Sequence, residues 1–478
     1  MKYFLQSTSL LLLAILCGCE PKERVQWSPD GSRAAVLFDH HLHFARADGK
    51  LLGALAEEDG DPGRLLIDAF DWLPDGSGLV VQRIRLAPRW EDVRALMPEG
   101  EVLRVQDLAA RMPVLLTAAV LLHGDAERAD LLLARLSSDE GESIGNALRY
   151  AIEADGVAVR AALAGAPRAL AALDQNPLGE TGYVIHELVL VRPDTGGKPA
   201  LLSRSFRGVH SLRLSPHHAY VAYTRPTSEV NRFDLEILAL DGSFHGEIAQ
   251  KITPAYDWTP DGTSLVYMEP LSREGGTVMR IRRSRVLDQE GTTLDPSEAG
   301  AGVEDLAYAL IPFTPRLAVL PDGDVLFASQ PSNLPVRGGE PAVSARLYRI
   351  SAKGGDPAPV PTAEGALPMD LGHFVPSPDG RKVAVVESGT DAVAVVDLAS
   401  GECTLVSTPH PGWKSRVLPA WRSANELTFP ALDPATGSVR WVLLHDEKIE
   451  VLSADWPGEA TAGWLEFKET PPAETTIP

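Results

Sequence analysis

Two short runs in this chain carry reactive residue types at spacings that chemistry could use. Residues 39–43 read DHHLH. On a strand, side chains alternate between faces, so Asp39, His41 and His43 would share one face. Two imidazoles and a carboxylate form a ligand set for a metal such as zinc. All three come from one short run, however, whereas a metal site at the centre of a fold would draw ligands from several parts of the chain. We expect no metal and no cofactor. If a metal does bind, Asp39, His41 and His43 are the residues to hold it. The second run, GESIG at 141–145, matches G-x-S-x-G. That motif places a serine nucleophile on a sharp turn between a strand and a helix. Here a serine- and acid-rich run precedes it and a helical pattern follows, so Ser143 is expected to cap a helix. His217 and His218 fall in a turn and are expected to be exposed. No phosphate-binding loop, dinucleotide-binding glycine pattern or zinc-finger spacing occurs, and no catalytic residue is expected.

The cysteines carry a different chemistry. Lys2 is followed by LLLLAIL at residues 10–16. That run is too short for the ~20 apolar residues that span a bilayer, and it has the layout of a secretory signal segment. Leu16-Cys17-Gly18-Cys19 resembles the bacterial lipobox. The resemblance implies that Cys19 receives diacylglycerol, that the chain is cut before it, and that its new amine is acylated. Two or three acyl chains give stable anchoring. Of three cysteines, only Cys403 is then left, so no intrachain disulfide is expected. The expected location is the cell envelope, on the periplasmic or outer-surface side, with inner or outer membrane left open. The formal net charge of −21 disfavours nucleic acid as a partner. The expected partners are the membrane, through the lipid on Cys19, and an envelope protein.

The elements that would position these residues announce themselves by a repeat. WSPDGSRAAVLF (27–38), WLPDGSGLVV (72–81), WTPDGTSLVYM (258–268), VLPDGDVLFA (319–328) and PSPDGRKVAVV (376–386) share one phrase. LSPHHAYVAY (214–223) and WRSANELTFP (421–430) are degenerate copies. Proline ends a strand because it cannot donate to a ladder. The aspartate side chain can accept backbone amides just ahead, and glycine takes the positive φ of a tight turn. Asp30-Gly31, Asp75-Gly76, Asp261-Gly262, Asp322-Gly323 and Asp379-Gly380 are therefore read as structural turns, not as an acid/base array. The spacings between copies are 45, 142, 44, 61, 57 and 45 residues. A period near 45 suits the four short strands of one propeller blade.

The phrase resembles the repeat of TolB-type propellers, which is also found in the propellers of prolyl-oligopeptidase-like enzymes. The resemblance covers most of residues 25–90 and 180–465. It implies an all-β, seven-bladed propeller, with six the alternative because the Trp421 copy is degenerate. TolB carries an α/β domain ahead of its blades, and the eight residues from Cys19 to Trp27 leave no room for one. Prolyl-oligopeptidase relatives need a hydrolase domain, for which the 57 residues after Trp421 are too few. Oligogalacturonate-lyase-like propellers use histidine-bound metal, so an enzyme acting on a polysaccharide at the propeller axis is the alternative reading.

The gap of 142 residues holds an insertion. Residues 101–173 contain 18 alanines and 14 leucines, both strong helix formers. Ile144, Ala147, Leu148, Ala151 and Ile152 recur at helical spacing, with Asp155-Gly156 as a stop signal. Val159, Leu163, Ala166 and Leu170 form a second stripe. Pro113 should begin or kink the helix of VLLTAAVLL (114–122), which is too short to span a membrane. The expected organisation is a signal segment at 1–18, propeller at 19–89, an inserted α-helical subdomain at 90–180, the rest of the propeller at 181–468 and a disordered tail at 469–478. The insert is expected to have its own small core, to be removable at little cost to the blades, and to carry specificity. The expected function is a lipid-anchored, non-enzymatic binding or scaffold protein. Cys19→Ser should leave an unprocessed precursor lacking the acyl mass, as read by mass spectrometry and lipid labelling. Normal processing and labelling of that variant would refute the anchor.

Overall fold

The computed structural model describes residues 25–38, 41–54, 64–124, 141–175, 182–193, 198–227, 229, 231–273, 276–288, 291–294, 302–310, 316–329, 346–360, 369–387, 393–406, 419–432, 439–445 and 448–453. Its strands form seven four-stranded antiparallel sheets, each built from four consecutive strands. These are the blades of a seven-bladed β-propeller: blade 1 (25–54), blade 2 (64–87 and 183–205), blade 3 (211–252), blade 4 (256–310), blade 5 (317–359), blade 6 (369–406) and blade 7 (420–453). The chain divides into two compact units. Ala56–Val360 contains blades 2 to 5, and Pro21–Leu55 with Pro361–Pro478 contains blades 1, 6 and 7. The Trp421 phrase forms a full blade, so the count is seven and not six.

In every blade the phrase lies between the first and second strands. Gly31, Gly76, Gly262, Gly323 and Gly380 take φ of +67°, +69°, +68°, +87° and +68°. The preceding aspartate accepts the amide two residues on, from Ser32, Ser77, Thr263, Asp324 and Arg381 respectively. At Asp30 the hydroxyl of Ser28 also donates, and these bonds hold its carboxyl down at about 2. Gly31 meets a second demand. A Cβ there would lie 2.9 Å from the carbonyl oxygen of Arg422, a close approach that only glycine permits.

Residues at the end of the first strand reach to neighbouring blades. Trp258 Nε1 donates to the Arg213 carbonyl of blade 3, and Asp257 Oδ2 accepts the Val319 amide of blade 5 at 2.9 Å. Asp71 Oδ2 likewise takes the Leu214 amide of blade 3 at 2.7 Å. In the second unit, Trp421 Nε1 donates to the Val375 carbonyl of blade 6. Trp27 Nε1 donates to Thr428 Oγ1 of blade 7 at 2.8 Å. Val25, Trp27, Ala420 and Trp441 share one core, so the last blade packs on the first. Arg422 lies with its guanidinium 5.3 Å from the centre of the Trp27 ring and donates to the carbonyls of Gly31 and Ala47.

Helices interrupt blade 2 between its second and third strands: α1 (Trp90–Leu96), α2 (Glu99–His123), α3 (Gly141–Ala162) and α4 (Pro167–Gln175). Ser143 does not cap α3, because the helix already begins at Gly141; its side chain is buried. Nor does α3 stop at Asp155-Gly156. The backbone leaves helical values at Asp155 (φ −151°, ψ 70°), and Asp155 Oδ1 accepts the Ala158 amide, which caps a fresh helical segment. VLLTAAVLL is the second half of a 25-residue helix with Pro113 inside it.

The insert does not have a core of its own. Met112, Leu116 and Leu148 belong to the same cluster as Ala87, Tyr183, Ile185 and Phe206 beside and within blade 2. Asn146 pairs with Val184 in both directions, donating at 2.8 Å and accepting at 2.9 Å, as a neighbouring strand would. Removing the helices would bare Tyr183, Ile185 and Phe206, so their deletion is expected to cost blade 2 part of its packing.

The blade couplings are open to measurement. Asp257→Ala leaves the Val319 amide without its carboxylate and should destabilise the protein by about 1–3 kcal/mol, read as a lower urea midpoint. An unchanged midpoint would show that the bond is replaced by water at no loss.

Candidate functional site

The residues singled out from the sequence are placed as follows. His41 and His43 lie on the strand His41–Arg46, opposite Phe38 and Val36, and share one face, each partly buried. Burial, and then the charge of His41, lowers the pKa of His43. Asp39 and Cys19 lie outside the described residues. Among the described residues, no group of three or more His, Cys, Asp or Glu side chains is gathered to hold a metal. The turn aspartates sit on separate blades. Of the turn histidines, His217 is exposed, but His218 is not. It packs against the turns of blade 4, where a Cβ on Gly262 or Gly291 would meet its ring at 3.2 and 2.6 Å.

A dense polar constellation lies instead in blade 3. Tyr223 and Arg225 alternate along Tyr220–Pro226, and Asp234 and Glu236 along Phe233–Ala239. The register sets Tyr223 opposite Glu236 and Arg225 opposite Asp234, so all four share one face. His245 begins the outer strand His245–Ile252. A single buried oxygen, Glu236 Oε2, accepts from Arg225 Nε at 2.8 Å, Tyr223 Oη at 3.0 Å and His245 Nε2 at 2.7 Å. Burial alone would raise the Glu236 carboxyl. The His245 hydrogen bond and the Arg225 charge outweigh it and hold the group at about 2. Burial raises the Tyr223 hydroxyl beyond its ordinary range, with Arg225 opposing. Across the blade interface, burial and the Arg225 charge push His186 down to about 4.

This arrangement has definite chemical capacity. An ionised carboxylate only accepts, so an uncharged His245 ring meets Glu236 with its proton on Nε2, the nitrogen that also lies 2.9 Å from Tyr223 Oη. Its basic lone pair then resides on Nδ1, and the side chain is half-exposed at 50%. A carboxylate that orients an imidazole in this way is the pairing used for general base catalysis and for supporting metal-bound histidines.

Blades 2 and 4 carry related networks. In blade 2, Glu187 receives Arg83 and Arg204 at 2.6 Å each and Arg85 at 3.1 Å. Burial would raise its carboxyl, but the three guanidiniums outweigh burial and lower it. In blade 4, Glu269 and Asp305 pair with Arg280 and Arg282 at 2.8–3.6 Å. The sequence does hold a signal for these sites. Charges alternate through otherwise apolar strands, as in QRIRLA (82–87), FDLEIL (233–238) and MRIRR (279–283).

No family model and no curated protein matches the chain. Solved structures to which it is similar include TolB from Acinetobacter baumannii, at 17% identity and a TM-score of 0.35, covering 61% of this chain and 68% of that one. They also include Kuenenia stuttgartiensis hydrazine synthase, at 13% identity and 0.45, covering 91% and 96%. A third is oligogalacturonate lyase from Vibrio parahaemolyticus, at 12% identity and 0.42, covering 80% and 75%. All are likenesses of fold, TolB among them.

Glu236 makes a pH-dependent contribution with a definite sign. Its carboxyl titrates at about 2 when folded and near its ordinary 4.5 when unfolded. The ionised form therefore stabilises the fold by about 3 kcal/mol above pH 4.5, and that contribution is lost as pH falls toward 2. Glu236→Gln should be less stable than the parent at neutral pH, with the gap narrowing steadily below pH 4.5 in urea titrations. A gap of equal size at pH 7 and pH 3 would rule out an ionised, donor-saturated Glu236.

Proposed function

We propose that the chain is a lipid-anchored envelope propeller that works as a non-enzymatic binding or scaffold protein. The observation that carries this reading is how the buried acids are used. Glu187 and Glu236 each take three donors from their own blade, most of them arginines. Charges committed in this way clamp strands to one another and make rigid blades, the property a platform for a partner requires. The acyl groups on Cys19 would hold that platform at a membrane, and the partner would be an envelope protein.

A second reading has one observation in its favour. His245 is oriented by Glu236 and half-exposed, so it could act as a base on a polysaccharide or related ligand. Two measurements separate the readings. Full-length protein crosslinked in cells should capture the same partner as the His245→Ala variant if the protein is a binder. Release of oligosaccharide fragments by the parent, abolished in His245→Ala with the fold intact by circular dichroism, would overturn the binding reading in favour of the enzyme.

A further inference from the structure

We draw no further inference here: the strongest candidate, the exposed apolar face of α2 in the helical insert around Val114, Leu121 and Leu122, has nothing in the structure to show what covers it.

Discussion

A tryptophan and an aspartate at the end of the first strand of blade 4 bind that blade to both neighbours. Trp258 holds the Arg213 carbonyl on one side, and Asp257 holds the Val319 amide on the other. Blade faces offer mostly apolar contact, which fixes separation but not the sliding of one sheet along the next. Directional bonds at the first strand supply that missing register. Asp71 repeats the aspartate half with the Leu214 amide, and Trp421 and Trp27 provide the tryptophan half in the second unit. The second to fourth strands inherit this alignment and are left to vary, which is where the arginine–glutamate networks, the helices and His245 are found.

The networks show how one architecture tolerates buried charge. Glu187 and Glu236 lie deep enough that an unpaired carboxylate there would be strongly destabilising. Each is surrounded by donors on adjacent strands of its own blade, so the sheet register itself delivers the partners. The same fact separates Glu236 from an ordinary structural acid. One of its three donors belongs to a half-exposed imidazole, so the buried charge is felt at the surface through His245.

Much of this was legible in the sequence, for physical reasons that differ by element. The phrase encodes a local event, a turn whose proline, aspartate and glycine act within four residues, and seven turns gave seven blades. The insert was legible as helical from its alanine and leucine content and its stripes, because Ile144, Ala147 and Leu148 face inward as their spacing requires. Its limits were less so. Ser143 and Asp155 are both capping types, and tertiary packing carried the helix past the first and restarted it at the second. Its shared core with Tyr183, Ile185 and Phe206 depends on which blade surface the helices cover, which no local pattern states. The Glu236 site was missed for a related reason. Its members alternate visibly along two strands, but only the pairing of Tyr223 with Glu236 reveals that they meet.

The interruption of blade 2 also orders events in time. Its second strand ends at Ala87 and its third begins at Tyr183. Arg83 and Arg85 therefore emerge during synthesis about a hundred residues before Glu187, their common partner. Closing so long a loop from an unstructured chain carries an entropy penalty that grows with length. Helices form from local contacts on the microsecond scale, well ahead of long-range strand pairing. In the folded protein Asn146 of α3 stands beside the backbone of Val184, so helices that have already associated need bring in only that strand. The insert thus shortens the effective separation between the two halves of the blade. It stands to the folding of blade 2 as a splint does to a break, holding the edges in line until the arginines find their glutamate.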